Sequence, residues 1–178
     1  VTGNNDTTFA VTNSLILALP VTFDFETAAT GISSLRKVTN PNSNIMESAA
    51  ASYGQNSVKG LIMDGVDALN WIAPSGVTTP WTNNPNHFSA VYLCISTAGS
   101  AATDTLLLTF DLKQLFKQSN SSTNFRVTVN GTQVGPTYRP PFAGTPINWQ
   151  KVKVNLSQYK NDPSIQIGLE SSVKEAFA

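Results

Sequence analysis

A chain of 178 residues is long enough for one sizeable core, while two complete domains would be a squeeze. Its 11 basic residues balance 11 acidic ones, which removes the positive footprint that phosphate contacts need and leaves nucleic acid an unexpected partner. No run approaches the roughly 20 apolar residues of a membrane helix, and the polar surface is dressed with Ser, Thr, Asn, Gly and Pro, a habit of extracellular β-proteins.

The first extended run, Ser14 to Leu19, is cut off by Pro20, which cannot donate to a ladder. A boundary is expected there. Residues 1–19 read either as a linker or tail of a preceding domain or as a first strand of the same one, and residues 20–178 as the main domain. Val21 to Glu26 alternates cleanly, Val58 to Met63 reads as a strand, and Phe88 to Ser96 is apolar on both faces, as a central strand should be.

In Thr105 to Asp111, Leu106, Leu108 and Phe110 share one face. Leu112, Leu115 and Phe116 then fall at helical spacing behind Asp111, an acceptable N-cap, so one turn of helix competes there with a strand running on. Phe125, Val127 and Val129 alternate with Arg126 and Thr128, and Asn130-Gly131 follows directly. Two residues tolerant of positive φ predict a type I′ hairpin pairing Phe125–Val129 with Thr132–Val134. Val152, Val154 and Leu156 point inward with Lys151, Lys153 and Asn155 outward, and Ile165, Ile167 and Leu169 repeat the pattern. Ser172 to Glu175 fits a capping box. Short strands separated by turn signals argue for an all-β sandwich or barrel.

Reactive groups are scarce. His87 is the sole histidine and Cys94 the sole thiol, and no Gly-x-Ser-x-Gly elbow is present, so no catalytic residue is expected and the chain does not read as an enzyme. Cys94 follows Ala90 and Tyr92 on an alternating apolar face, which predicts an inert buried thiol. Asp24/Glu26 and Asp64/Asp67 are neighbours in sequence without any sign of a facing pair.

The most suggestive binding feature is Trp71 and Trp81 in the polar stretch Asn70 to His87. An exposed indole stacks on a sugar ring while neighbours such as Asn83 and His87 bond its hydroxyls; the other reading is that both indoles cover an open end of the sandwich. Tyr138 to Phe142 (Tyr-Arg-Pro-Pro-Phe) reads as a rigid exposed connection.

Several segments together carry a family resemblance: Phe23-Asp-Phe-Glu26, Ser57 to Gly65, Leu106-Leu-Leu-Thr-Phe-Asp111, and Trp149 to Tyr159 followed by Ile165-Gln-Ile-Gly-Leu-Glu170. From Pro20 onward their order resembles the MAM-like and cleaved-adhesin jelly-roll domains of large secreted proteins of gliding and type IX-secreting bacteria. The Trp, the strand ending in Leu-Ser-x-Tyr and the strand after it are the most specific part.

That resemblance implies a two-sheet antiparallel jelly-roll sandwich at an extracellular or cell-surface location. It implies a non-catalytic accessory module of an exported multidomain protein, contacting a surface glycan or a neighbouring domain or subunit. The alternatives are an accessory domain of a secreted hydrolase, a peptidase above all, and a subunit of a surface assembly joined by strand donation. Members of the group usually close with a strand carrying an Asp-Asn-Ile-like motif, absent here before Ala178. A jelly roll lacking its closing strand is therefore expected, with a partner chain or further residues supplying it. The group also often holds one structural cation near its first strand, which implies Ca²⁺ on Glu26, with Asp24 or Asp64 behind it. Against this stands the reading that Asp24 and Glu26 face solvent from an alternating strand.

Overall fold

The computed structural model describes residues 16–27, 35–39, 44–47, 59–64, 88–114, 124–139 and 148–172. All regular structure among them is strand apart from one 3₁₀ turn, Ser157–Tyr159. The chain is all-β. In order, the strands are β1 (Leu17–Ala18), β2 (Arg36–Thr39), β3 (Asn44–Glu47), β4 (Leu61–Asp64), β5 (Phe88–Ser96), β6 (Leu107–Leu112), β7 (Asn124–Val129), β8 (Thr132–Tyr138), β9 (Gln150–Asn155) and β10 (Ile165–Ser172).

The largest sheet runs β1-β5-β10-β7-β8, with β2 also on β5. Strand β5 lies inside it because it is apolar on both faces. One edge of β5 pairs antiparallel with β10 from Phe88 to Ile95, and the other is shared by two short strands. Antiparallel β2 covers Ser89 to Tyr92, and parallel β1 covers Ile95 and Ser96, which makes the sheet mixed. Two residues of the 1–19 segment thus lie alongside the longest strand.

The Asn130-Gly131 turn has φ of 51° and 79°, the two positive values a type I′ hairpin requires. It pairs Val129 with Thr132 and Val127 with Val134, and a register shift beyond them carries the ladder out to Phe125 and Tyr138. Tyr138 is therefore a strand residue packed against the core, and not the start of an exposed connection.

One face of this sheet contributes Ile95, Phe125, Val127, Val129, Val134, Ile165 and Ile167 to a common core. The antiparallel pair β6–β9 packs into the same core, with Val152, Val154 and the adjacent Leu156 buried and Leu108, Phe110 and Leu112 partly buried against it. Each fully buried Val or Ile stabilises this interior by about 1.5–3 kcal/mol. A second cluster forms where Leu35 and Val91 meet Phe23, Phe25, Leu61 and Met63.

Two expectations change. Val21 to Glu26 is not a strand: its alternation survives in side-chain packing, with Val21, Phe23 and Phe25 inward, but Phe25 takes φ 64° and the Asp24 carboxylate accepts the Glu26 N–H at 3.0 Å. That local turn replaces ladder pairing. Asp111 caps no helix, since it lies within β6 opposite Lys151 and pairs with its ammonium at 3.0 Å. Ser172 is the last residue of β10, and the rest of the Ser172 to Glu175 capping box lies outside the described residues. Leu115, Phe116, Val58 and residues 173–175 lie outside the described residues.

Candidate functional site

The face of the large sheet that looks away from the core carries a built polar cluster. Strand register aligns Arg36, Tyr92, Gly168, Thr128 and Gln133 in one row across β2, β5, β10, β7 and β8. The adjacent row holds Ala90, Glu170 and Arg126. Because side chains alternate, these rows project opposite to Val91, Val127, Ile167 and the rest of the core set.

Glu170 is the centre. Its side chain is 7% exposed although it stands on the outer face of the sheet. Three donors converge on it: Arg126 Nε at 2.7 Å on Oε2, and on Oε1 the Thr128 hydroxyl at 3.0 Å and the Tyr92 hydroxyl at 3.2 Å. A carboxylate taken out of water must be compensated in this way or its desolvation would outweigh its contacts. Charge-assisted bonds such as the one from Arg126 are the strong members of such a set.

Tyr92 reaches Glu170 by lying across Gly168. A Cβ at that glycine would stand 2.7 Å from Tyr92 Cε1 and 2.4 Å from Thr128 Oγ1, so the absent side chain is what lets the ring lie down. Above the ring, the Arg36 guanidinium sits 5.3 Å from its centroid, a cation–π contact. The phenol thus lies close to both Gly168 and Arg36. Burial first, and then the charge of Glu170 and its hydrogen bond, raise the Tyr92 pKa above the ordinary 10.0, while the two arginines pull the other way.

Arg126 behaves differently from the groups it holds. Its side chain is 47% exposed, and only Nε is used, so Nη1 and Nη2 carry no hydrogen bond among the described residues. The result is a guanidinium fixed at its root with its outward donors available. Chemically the cluster can bind and orient an anion or a hydrogen-bond acceptor. A carboxylate engaged by three donors is poorly placed to take a proton from a substrate.

Sequence reasoning did not find this cluster. Arg126 and Thr128 read as ordinary outward residues of an alternating strand, yet Thr128 is only 1% exposed. The signal available was Gly168 in the middle of an outward row, since a strand glycine often marks close approach by another group. Cys94, expected to be buried, is only partly buried, on the same face opposite Gln166.

The predicted sugar-binding residues Trp71, Trp81, Asn83 and His87 lie outside the described residues. Of the predicted cation ligands, Glu26 accepts the Lys59 N–H at 2.8 Å, Asp24 serves its own turn, and Asp64 ends β4 opposite Asn44. Among the described residues no three His, Cys, Asp or Glu side chains gather as a metal site would require. A shallow groove of about 460 Å³ runs along Gln133, Gly135, Asn155, Ser157 and Gln158, lined by amides. No helix among the described residues is long and apolar enough to cross a membrane.

No protein-family model, no curated protein and no solved structure matches the chain.

Proposed function

We propose that the chain is a non-catalytic binding module of an exported multidomain surface or secreted protein. Its fold on this reading is a jelly-roll sandwich of the MAM-like kind, and its partner is a surface glycan or a neighbouring domain. The observation that carries the proposal is the state of Glu170: its oxygens are engaged by Arg126, Thr128 and Tyr92, which makes the cluster a fixed recognition face rather than a proton-transferring one. All-β architecture and the scarcity of reactive side chains support the same reading, whereas fold analogy alone would not carry it.

The test is a glycan array probed with wild type and with Trp71→Ala and Trp81→Ala, beside a hydrolysis screen against the same glycans and a set of peptides. Binding without turnover is the expected result. Turnover of any of these substrates would replace the proposal by an enzymatic one, and loss of binding in the Trp variants would assign the sugar contact to the Asn70 to His87 stretch. A structural Ca²⁺ on Glu26, Asp24 and Asp64 belongs to the same proposal. It predicts a melting temperature lowered by EDTA and restored by calcium, and an unchanged value removes the ion.

A further inference from the structure

We propose that β1 is an exchangeable strand through which two copies of this chain pair, the β1 of each copy lying parallel on β5 of the other. The proposal goes beyond the binding-module reading and does not depend on it.

Little of the segment enters the sheet. Leu17 and Ala18 alone form β1, opposite Ile95 and Ser96 of β5. Parallel pairing is the less stable kind per residue, and a strand held at two positions opens at far lower cost than the body of a sheet. Its side-chain anchor is Leu17, partly buried against the main core.

The connection to the rest of the chain is short and exposed. Leu19 and Pro20 form a bend in solvent, and directly after it the chain is tied down again, with Val21 packed on the main core and Phe23 on the second cluster. A loosely held strand is thus joined to a fixed one by two exposed residues. A change of backbone direction at that bend carries β1 off its own β5 and leaves the packing from Val21 onward in place.

Apolar surface brackets the same strand. Among the described residues, the exposed large hydrophobics are Ile16 at 51%, Leu19 at 41% and Leu107 at 51%. Ile16 and Leu19 flank β1 on either side and stay in water while the strand docks on its own copy.

A second copy is the occupant that fits without any new complementarity. Its Leu17 is the same residue meeting the same core, and its backbone finds the same register at Ile95 and Ser96. Reciprocal exchange about a twofold axis uses both β1 strands and closes the assembly at two chains. The bend fixes how near the copies come: two extended residues span about 7 Å, so the chains cross at their bends with Leu19 of each beside the crossing. Burial of that apolar surface is what the exchanged pair gains over two separate chains.

Single-cysteine chains in a Cys94→Ser background test the proposal, one carrying Ala18→Cys and the other Ser96→Cys, positions paired across β1 and β5. Neither residue is buried, so both substitutions leave the core untouched. The two chains are mixed, incubated at low and high protein concentration, oxidised and run on a non-reducing gel, beside light scattering of wild type over the same range. The expected result is a concentration-dependent dimer in wild type, and a disulfide joining the two variants in the mixture about tenfold more often than either variant joins itself. A chain with both substitutions should link between copies when concentrated and within one copy when dilute. Leu19→Asn should weaken the pair about tenfold, and Leu107→Asn should leave it unchanged. A monomer at every concentration, with the doubly substituted chain linked only within itself, overturns the proposal. So does a dimer that forms without the link between positions 18 and 96, or one weakened equally by Leu107→Asn, since either result places the contact elsewhere on the surface.

Discussion

The phenol ring of Tyr92 crosses Gly168 so closely that a single added methyl group would meet it at 2.7 Å. That approach lets the Tyr92 hydroxyl reach Glu170, and it couples a backbone requirement on β10 to a polar network spread over β5, β7 and β10. Gly168→Ala is therefore expected to lower stability by about 1–3 kcal/mol, the usual range for overpacking. Chemical denaturation measures it, and pairing the change with Tyr92→Ala should return part of the loss, because the obstructing ring is then gone.

Alkaline pH should weaken the fold through the same tyrosine. Its folded pKa lies above the unfolded 10.0, chiefly because burial disfavours the phenolate, and burial raises Tyr138 as well. A raised pKa means that the neutral form is favoured in the folded state, so the stabilisation is complete below pH 10 and is lost as pH climbs through the raised value. Tyr92→Phe should flatten the decline in unfolding free energy above pH 10, and ultraviolet titration should show late-ionising phenols in wild type.

Asn130 has two duties that can be separated. It accepts positive φ in the hairpin turn, and its side-chain oxygen takes the Gln166 N–H at 2.9 Å, which pins the start of β10 to the turn. Asn130→Gly retains the first duty and Asn130→Ala retains neither. Stability should fall in the order wild type, glycine, alanine, the last step costing about 1–2 kcal/mol for a left-handed alanine.

Thr97 closes the far end of β5. It is 1% exposed, donates from Oγ1 to the Tyr159 carbonyl and accepts the Asp162 N–H at 3.0 Å, while its backbone carbonyl takes the Asn161 N–H at 3.1 Å. Thr97→Val keeps the shape and removes the hydroxyl's bonds to Tyr159 and Asp162, leaving partly buried backbone groups unpaired. A loss of about 1–3 kcal/mol is expected by denaturant titration, with faster amide exchange at Asp162.

Alternation is a local property, and it was readable without coordinates. Phe125, Val127 and Val129, Val152, Val154 and Leu156, and Ile165 and Ile167 all show it, and all are core residues. The hairpin at Asn130-Gly131 was equally legible, because two adjacent residues suffice to specify its backbone. Val21 to Glu26 had the pattern without the strand: the pattern reports which side chains are inward, and here the Asp24 turn took the backbone instead.

By itself, then, the order of residues determined an all-β character with short strands and alternating inward residues, because period 2 depends only on neighbours along the chain. Which strand lies beside which was left to the tertiary structure, since pairing between residues as distant as Arg36, Tyr92, Arg126 and Glu170 is decided by burying every inward face at once. The polar cluster exists only through that register. Shifting β10 by one residue against β5 would carry Glu170 to the core face and uncover Ile167, and no short window of sequence contains the energy that forbids it.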